Sequence, residues 1–295
     1  MFEGVTEEQG VTPVAQIDHI LSTKMRLQKC DYQLVDCHRV SRGLHRPKAI
    51  YCRFATMIQK GKDLKAAKFL KGSSVHIHED YSSEVADERN TLYPIYKKAL
   101  SSRPKINVKL SGSVLQIAGK RYTYSNFTDI PDNLLPVTTR HSEEIHVFYG
   151  QWNPLSSMYP CVFEMDGLIF RSSEHYFQFK KGLACGKNEL AAEILSSRHP
   201  MQCHRLAKRL NFDCSANKDL IAAWMLEATW AKFTQNPNLC EHLLETGELV
   251  IGEASKDTFF GTGLALSEDG TTDSDKWSGD NLSGKILTDV RDELK

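Results

Sequence analysis

Residues 126–144, NFTDIPDNLLPVTTRHSEE, contain two prolines and little periodic hydrophobicity, while regular apolar patterns lie on both sides. In a chain of 295 residues such a break predicts two separate cores, because single cores usually stop growing at about 250–300 residues. We therefore expect a module over 1–125, a linker over 126–146 and a second domain over 147–295. The charge divides at the same place. Residues 1–146 hold 22 Lys+Arg against 16 Asp+Glu and residues 147–295 hold 15 against 21, although the whole chain is neutral. Thirteen of the basic residues fall within 24–71, against three acidic ones. Such a block is the composition of a solvated face, and also the electrostatic footprint that a phosphate backbone needs.

No apolar run is long enough to cross a bilayer. The opening MFEGVTEEQGVTP is acidic and polar and lacks the basic and apolar regions of a secretory signal, so an intracellular location, cytoplasmic or nuclear, is expected. The eight cysteines are scattered singly with no CxxC pair, which fits reduced thiols better than a disulfide framework. Cys37-His38 and His76-Ile77-His78 have no partners at zinc-site spacing, so no metal site is expected.

In the first part the spacing predicts a helix over 14–27, a strand over 32–36 leading into the basic run Cys37-His38-Arg39-Val40-Ser41-Arg42, and a strand over 49–55. A helix over 63–70, a short strand over 75–78 and a long helix over 83–100 follow. Strands at 105–110, 114–117 and 121–124 complete the pattern. The words RPKAIYCRF, KAAKFLKG, HIHEDYSSEV, ERNTLYPIYKKA and LQIAGKRYTY, in that order, resemble the C-terminal nucleic-acid-binding domain of LINE retrotransposon first-frame proteins across about 47–124. Upstream of it stands only what looks like the last helix and strand of that family's RRM-like domain. The resemblance implies binding of single-stranded RNA or DNA, with Arg39, Arg42, Arg53 and Lys71 as phosphate contacts. A spacer without binding activity is the competing reading.

In the second part Ser172 or Ser173 is a good N-cap for a helix running to about Cys185. At about 100° per residue, Glu174, Gln178 and Lys181 fall within about 60° of one another and form one polar face. Tyr176, Phe179, Leu183 and Ala184 take the opposite arc and anchor the helix in a core. Lys180 lies nearer that arc, which makes Lys181 the better site candidate. A first-turn glutamate also has a plain explanation in the helix dipole. Farther on, the strand-like Leu249-Val250-Ile251 delivers Glu253 to Asp257 to a loop at a strand end, where function commonly sits. Trp277 and Asn281 precede a final helix. A segment around Lys232-Phe233-x-Gln235-Asn236 reads as structural.

Four segments, WNPLSSMYPCVFEMDG, SSEHYFQFKK, KFTQN with LLETGELVIGEASKDTFFGTGL, and WSGDNLSGKILTDVRDEL, stand in the order found in the NADAR superfamily, the YbiA-like N-glycosidases. The resemblance covers nearly all of 148–295. With the reading of the first part, the expected architecture is α+β overall, a small basic α+β module followed by a mainly helical α+β NADAR-like domain. The NADAR resemblance implies hydrolysis of a ribose C1–N bond, in ADP-ribosylated guanine or nucleic acid or in ribosylamino-pyrimidine phosphates of riboflavin biosynthesis. Glu174, Lys181 and Asp257 would be catalytic, and Trp152, Asn153, Tyr176, Gln178, Trp277 and Asn281 would touch the substrate. Asn281 either reads a base edge or fixes the loop backbone. A carboxylate, a lysine and water suffice for the reaction, so no cofactor is required. The chain departs from the family where it has Ser157-Met158 for Asn-Phe and Phe260-Gly261 for Trp-Gly. The rival function is a noncatalytic binder of nucleic acid or nucleotide, derived from a retroelement.

Overall fold

The computed structural model describes residues 1–40 and 49–295. It separates into two compact units, Met1–Tyr81 and Ser82–Lys295. Both mix helices with small sheets, so the chain is α+β. No helix among the described residues is long and apolar enough to cross a membrane.

In the first unit, β1 (Phe2–Glu3), β2 (Leu34–Val40), β3 (Ala49–Phe54) and β4 (His76–Ile77) form a sheet in the order β2-β3-β1-β4, with antiparallel neighbours. Helix α1 (Pro13–His19) is capped by Thr12, whose side chain accepts from the Ala15 amide at 3.3 Å, and continues into a π-helical turn at Ile20–Lys24. It buries Ile17, and the turn buries Leu21, in one core with Phe2, Met25 and Ile50. The expected strand at 32–36 lies farther on. Cys37 to Val40, read from the sequence as a basic run, are strand because they pair with β3, Cys37 opposite Cys52 and Val40 opposite Ala49. Helix α2 (Met57–Ala66) likewise begins earlier than expected. Thr56 caps it by accepting from the Gln59 amide at 3.2 Å, while Met57 and Ile58 stay exposed and break the amphipathic pattern.

The second unit starts at α3 (Ser83–Ser101), capped by Ser82 and packed on an antiparallel sheet of β5 (Val108–Ser111), β6 (Val114–Ile117) and β7 (Lys120–Tyr122). The stretch 126–146, expected as a linker, belongs to this unit. Phe127, Ile130 and Leu134 are buried in a core with Leu92, Ile95 and Leu115. They escape a periodicity reading because two short 3-10 turns, Tyr124–Asp129 and Asp132–Leu134, present them at irregular intervals. Strand β8 (Thr139–His141) then pairs antiparallel with β9 (Ile145–Phe148).

A hairpin of β10 (Phe163–Met165) and β11 (Leu168–Phe170) leads into helices α4 (Ser173–Ala184), α5 (Asn188–Ser196), α6 (Pro200–Ala207), α7 (Lys218–Gln235) and α8 (Pro237–Leu244). Strand β12 (Val250–Glu253) returns parallel to β9, and α9 (Leu282–Leu294) closes the chain. One core joins these helices to the sheet, with Phe148, Phe163, Tyr176, Trp224, Phe233 and Ile251 among its members. The result is that the end of β12 opens beside the first turns of α4.

Candidate active site

Helix α4 begins where several constraints meet. The Ser172 hydroxyl accepts from the His175 amide at 3.1 Å, and the Glu174 amide donates to the Ser157 carbonyl at 3.0 Å. The buried His175 ring bridges two elements, since its Nδ1 lies 3.1 Å from the Arg171 amide that donates to it and its Nε2 lies 2.8 Å from the Ile194 carbonyl. These contacts fix the helix start against the loop 149–158. Lys232 fixes that loop from below, donating from a buried ammonium to the carbonyls of Pro154 (2.5 Å) and Ser156 (2.8 Å). Burial lowers its pKa to about 8.

A cavity of about 570 Å³ opens at this point. Glu174, Gln178 and Lys181 line one wall, the face expected from helical spacing. Glu174 is only 8 % exposed, and its Oε1 accepts from Gln178 Nε2 at 2.7 Å with His204 Nδ1 at 3.4 Å. Gln178 Oε1 is buried with no hydrogen-bond partner among the described residues, an acceptor that a ligand donor can satisfy. The Lys181 ammonium sits over the rings of Phe177 (5.3 Å) and Phe212 (5.4 Å). Lys180 points elsewhere, 3.7 Å from Glu227 and over the Tyr176 ring.

The opposite wall comes from the end of β12. Glu253 lines the cavity, and its carboxyl is held above the usual range chiefly by burial, with the negative charges of Asp257 and Glu174 adding to the shift and a hydrogen bond to Ser283 opposing it. Asp257 also lines it, but one carboxylate oxygen is committed to a turn, accepting from the amides of Phe259 (2.8 Å) and Phe260 (2.7 Å). Trp152 lines the cavity with its ring and donates from Nε1 to the Thr91 carbonyl at 3.1 Å.

Four sequence candidates lie elsewhere. Asn153 is buried in its own loop, accepting from the Leu155 amide at 2.9 Å and donating to Thr138 at 3.3 Å. Tyr176 faces away from the cavity, packs edge-on against Phe170 and donates to Glu227 at 2.5 Å. Trp277 covers the other side of the sheet. It donates to the Thr271 carbonyl at 2.9 Å and lies so close to Gly252 that a Cβ there would stand 2.7 Å from the indole. Asn281, with φ of 51°, acts as a brace. It accepts from the Glu253 amide at 3.1 Å and donates to the Ile251 carbonyl at 2.8 Å, so its amide completes the edge of β12 and presents Glu253 to the cavity.

In the first unit the Arg39 guanidinium donates internally, to the carbonyls of Val5 and Thr6 at 3.1 Å each and to Gln16. Arg53 and Lys71 are exposed, and Arg42 lies outside the described residues.

The sequence reading missed Glu253 and His204 as site residues. The apolar run ending at Ile251 is the signal that reaches Glu253, since it puts that residue at a strand end. Nothing local marks His204, which reaches Glu174 only because α6 packs on α4.

The NADAR domain family model matches residues 141–295. The chain belongs to this family. Among its relatives, Protein irg-1 of Caenorhabditis elegans is 33% identical over 170 residues, covering 50% of this chain and 78% of that one. An N-glycosidase of Acanthamoeba polyphaga mimivirus is 31% identical over 151 residues, 50% of this chain and 88% of its own. A riboflavin biosynthesis protein of Vibrio vulnificus is 30% identical over 177 residues, 59% of this chain and 43% of its own. The solved structure of the Escherichia coli protein YbiA covers 54% of this chain and 89% of that chain, at 25% identity and a TM-score of 0.42. Ser157, Met158 and Phe260 all line the cavity.

Proposed function

We propose that this chain is an N-glycosidase that hydrolyses the bond between a ribose C1 and a base nitrogen. The observation that carries this reading is the low-exposure carboxylate of Glu174 on the cavity wall, fixed by Gln178. Cleavage of an N-glycoside passes through an oxocarbenium-like state, which a fixed carboxylate stabilises far better in a water-poor cavity than in bulk solvent. Glu174 offsets that charge and takes a proton from the attacking water, whose oxygen bonds to C1. Glu253, held protonated to higher pH by its burial, gives a proton to the departing nitrogen. Lys181 orients the base or phosphate portion, or forms an imine with a ring-opened C1. Trp152 and Phe260 supply apolar faces for a base.

Of the two substrate groups, ADP-ribosylated guanine is the one we favour, because the basic block of the first unit suits a nucleic-acid carrier. Ribosylamino-pyrimidine phosphates are the second group, supported by the name of the Vibrio relative. Incubation of the full chain with a member of each group, followed by mass spectrometry, tests the reading. Release of free base with ADP-ribose or ribose phosphate is the expected result, and intact substrate in both arms sinks it.

The two adjacent lysines give a sharper comparison. Lys181→Ala should lower kcat/KM by at least tenfold more than Lys180→Ala, since only Lys181 reaches the cavity. Equal losses would overturn the assignment, and borohydride trapping separately tests the imine version.

The full chain is further expected to bind single-stranded RNA or DNA with a salt dependence of about −0.7 in log K against log salt for each phosphate neutralised. Replacing Arg53 and Lys71 together should flatten that slope by about 1.4 units in fluorescence anisotropy. An unchanged slope removes these residues as contacts, and absence of binding near 50 mM salt at micromolar protein removes nucleic acid as a partner.

A further inference from the structure

Cys37 and Cys52 are register partners on β2 and β3, each half-buried, with Sγ atoms 3.0 Å apart. Direct cross-strand partners hold their Cα atoms about 4.5–5.5 Å apart, inside the roughly 4.4–6.8 Å span that a disulfide tolerates. The two sulfurs therefore need an approach of only about 1 Å to reach bonding distance, without any change in strand pairing. Cys52 also opens onto a cavity of about 330 Å³ within the first unit, with Arg53, Lys60, Asp63, Glu79 and Asp80 in its walls. The shared contact holds the Cys37 thiol below its usual range and, together with burial, pushes the Cys52 thiol up, so Cys37 is the sulfur that ionises first.

We propose that Cys37 and Cys52 form a thiol–disulfide exchange site for small disulfides of the glutathione class. Cys37 loses its proton to solvent and its sulfur attacks one sulfur of the small disulfide. The bond between the two small-molecule sulfurs breaks, and the first thiolate leaves and takes up a proton from solvent. The Cys52 sulfur then attacks Cys37, displacing the second thiolate as its own proton passes to that leaving group. Two protein thiols are oxidised by two electrons, and one small disulfide is reduced to two thiols. The reaction joins β2 to β3 covalently and is reversed by excess glutathione.

The test equilibrates the full chain with glutathione and glutathione disulfide at graded ratios, followed by acid quench, maleimide alkylation and peptide mapping by mass spectrometry. The expected result is joint loss of two of the eight alkylation sites, with a peptide cross-linked between Cys37 and Cys52 that dithiothreitol releases. Cys52→Ser should stop the reaction at a glutathione adduct on Cys37. The site is overturned if Cys37 and Cys52 remain alkylated while the exposed Cys30 and Cys214 are modified, or if wild-type Cys37 accumulates as the adduct. Should Cys52→Ser fail to fold, the wild-type map still decides, because the cross-link either forms or does not.

Discussion

Turnover of the Glu174→Gln variant is expected to fall by about 10²–10⁴-fold, the usual contribution of a positioned general base. Glutamine fills the same space and still offers an oxygen to Gln178, so the first turns of α4 should remain in place. It cannot accept a proton from water, and it places no negative charge beside a developing oxocarbenium. Steady-state rates and the far-ultraviolet circular dichroism spectrum, measured together, check this. The competing explanation makes Glu174 a partner of the helix dipole and nothing more, a role worth about 0.3–1 kcal/mol. That role predicts a small drop in Tm with the rate spared. Retention of more than about a tenth of the wild-type rate would therefore remove Glu174 from the chemistry.

The second large effect is on stability in acid. His199 is buried between α3 and α6, with its Nδ1 accepting from the Met201 amide at 3.2 Å and its Nε2 3.2 Å from Thr91 Oγ1. Burial lowers its pKa to about 4, with the charge of Asp87 opposing and that of Arg205 adding. His175, also buried, is shifted in the same direction. In the unfolded chain both rings titrate near 6.5. Between those values the unfolded state binds the proton and the folded state does not, so stability rises with pH. The contribution is complete above about pH 6.5 and is lost as pH falls toward 4. For His199 it amounts to about 3 kcal/mol, because each tenfold drop in proton affinity on folding is worth about 1.4 kcal/mol. Urea unfolding at a series of pH values should show this loss. His199→Asn, which keeps an acceptor for Met201 and removes the titrating ring, should reduce it. An identical pH slope in the variant would place the acid sensitivity elsewhere.

The sequence by itself determined the elements whose cause is local. The polar face of α4 follows from 3.6 residues per turn, and its start follows from the hydroxyl of Ser172. The separation of Lys181 from Lys180 is the same geometry, one residue apart on a helix. Long α3 and strands β3 and β6 follow from apolar periodicity alone.

Tertiary structure decided what depends on partners distant in the chain. Residues 126–146 look like a linker because Phe127, Ile130 and Leu134 have no regular spacing, and only their shared core with α3 gives them a place. Trp277 and Asn281 stand in a motif that leaves substrate contact and a bracing role both open, and the sequence does not choose between them. In the fold the indole lies against Gly252 and the Asn281 amide binds the edge of β12. Arg39 is counted as a free charge until Val5, Thr6 and Gln16 claim it. Glu253 and His204 enter the site only when β12 and α6 are laid against α4, because a carboxylate acquires its environment from whatever packs around it. Periodicity reports which face of an element is buried. Which groups share a cavity depends on how the elements pack, and that is a property of the assembled core.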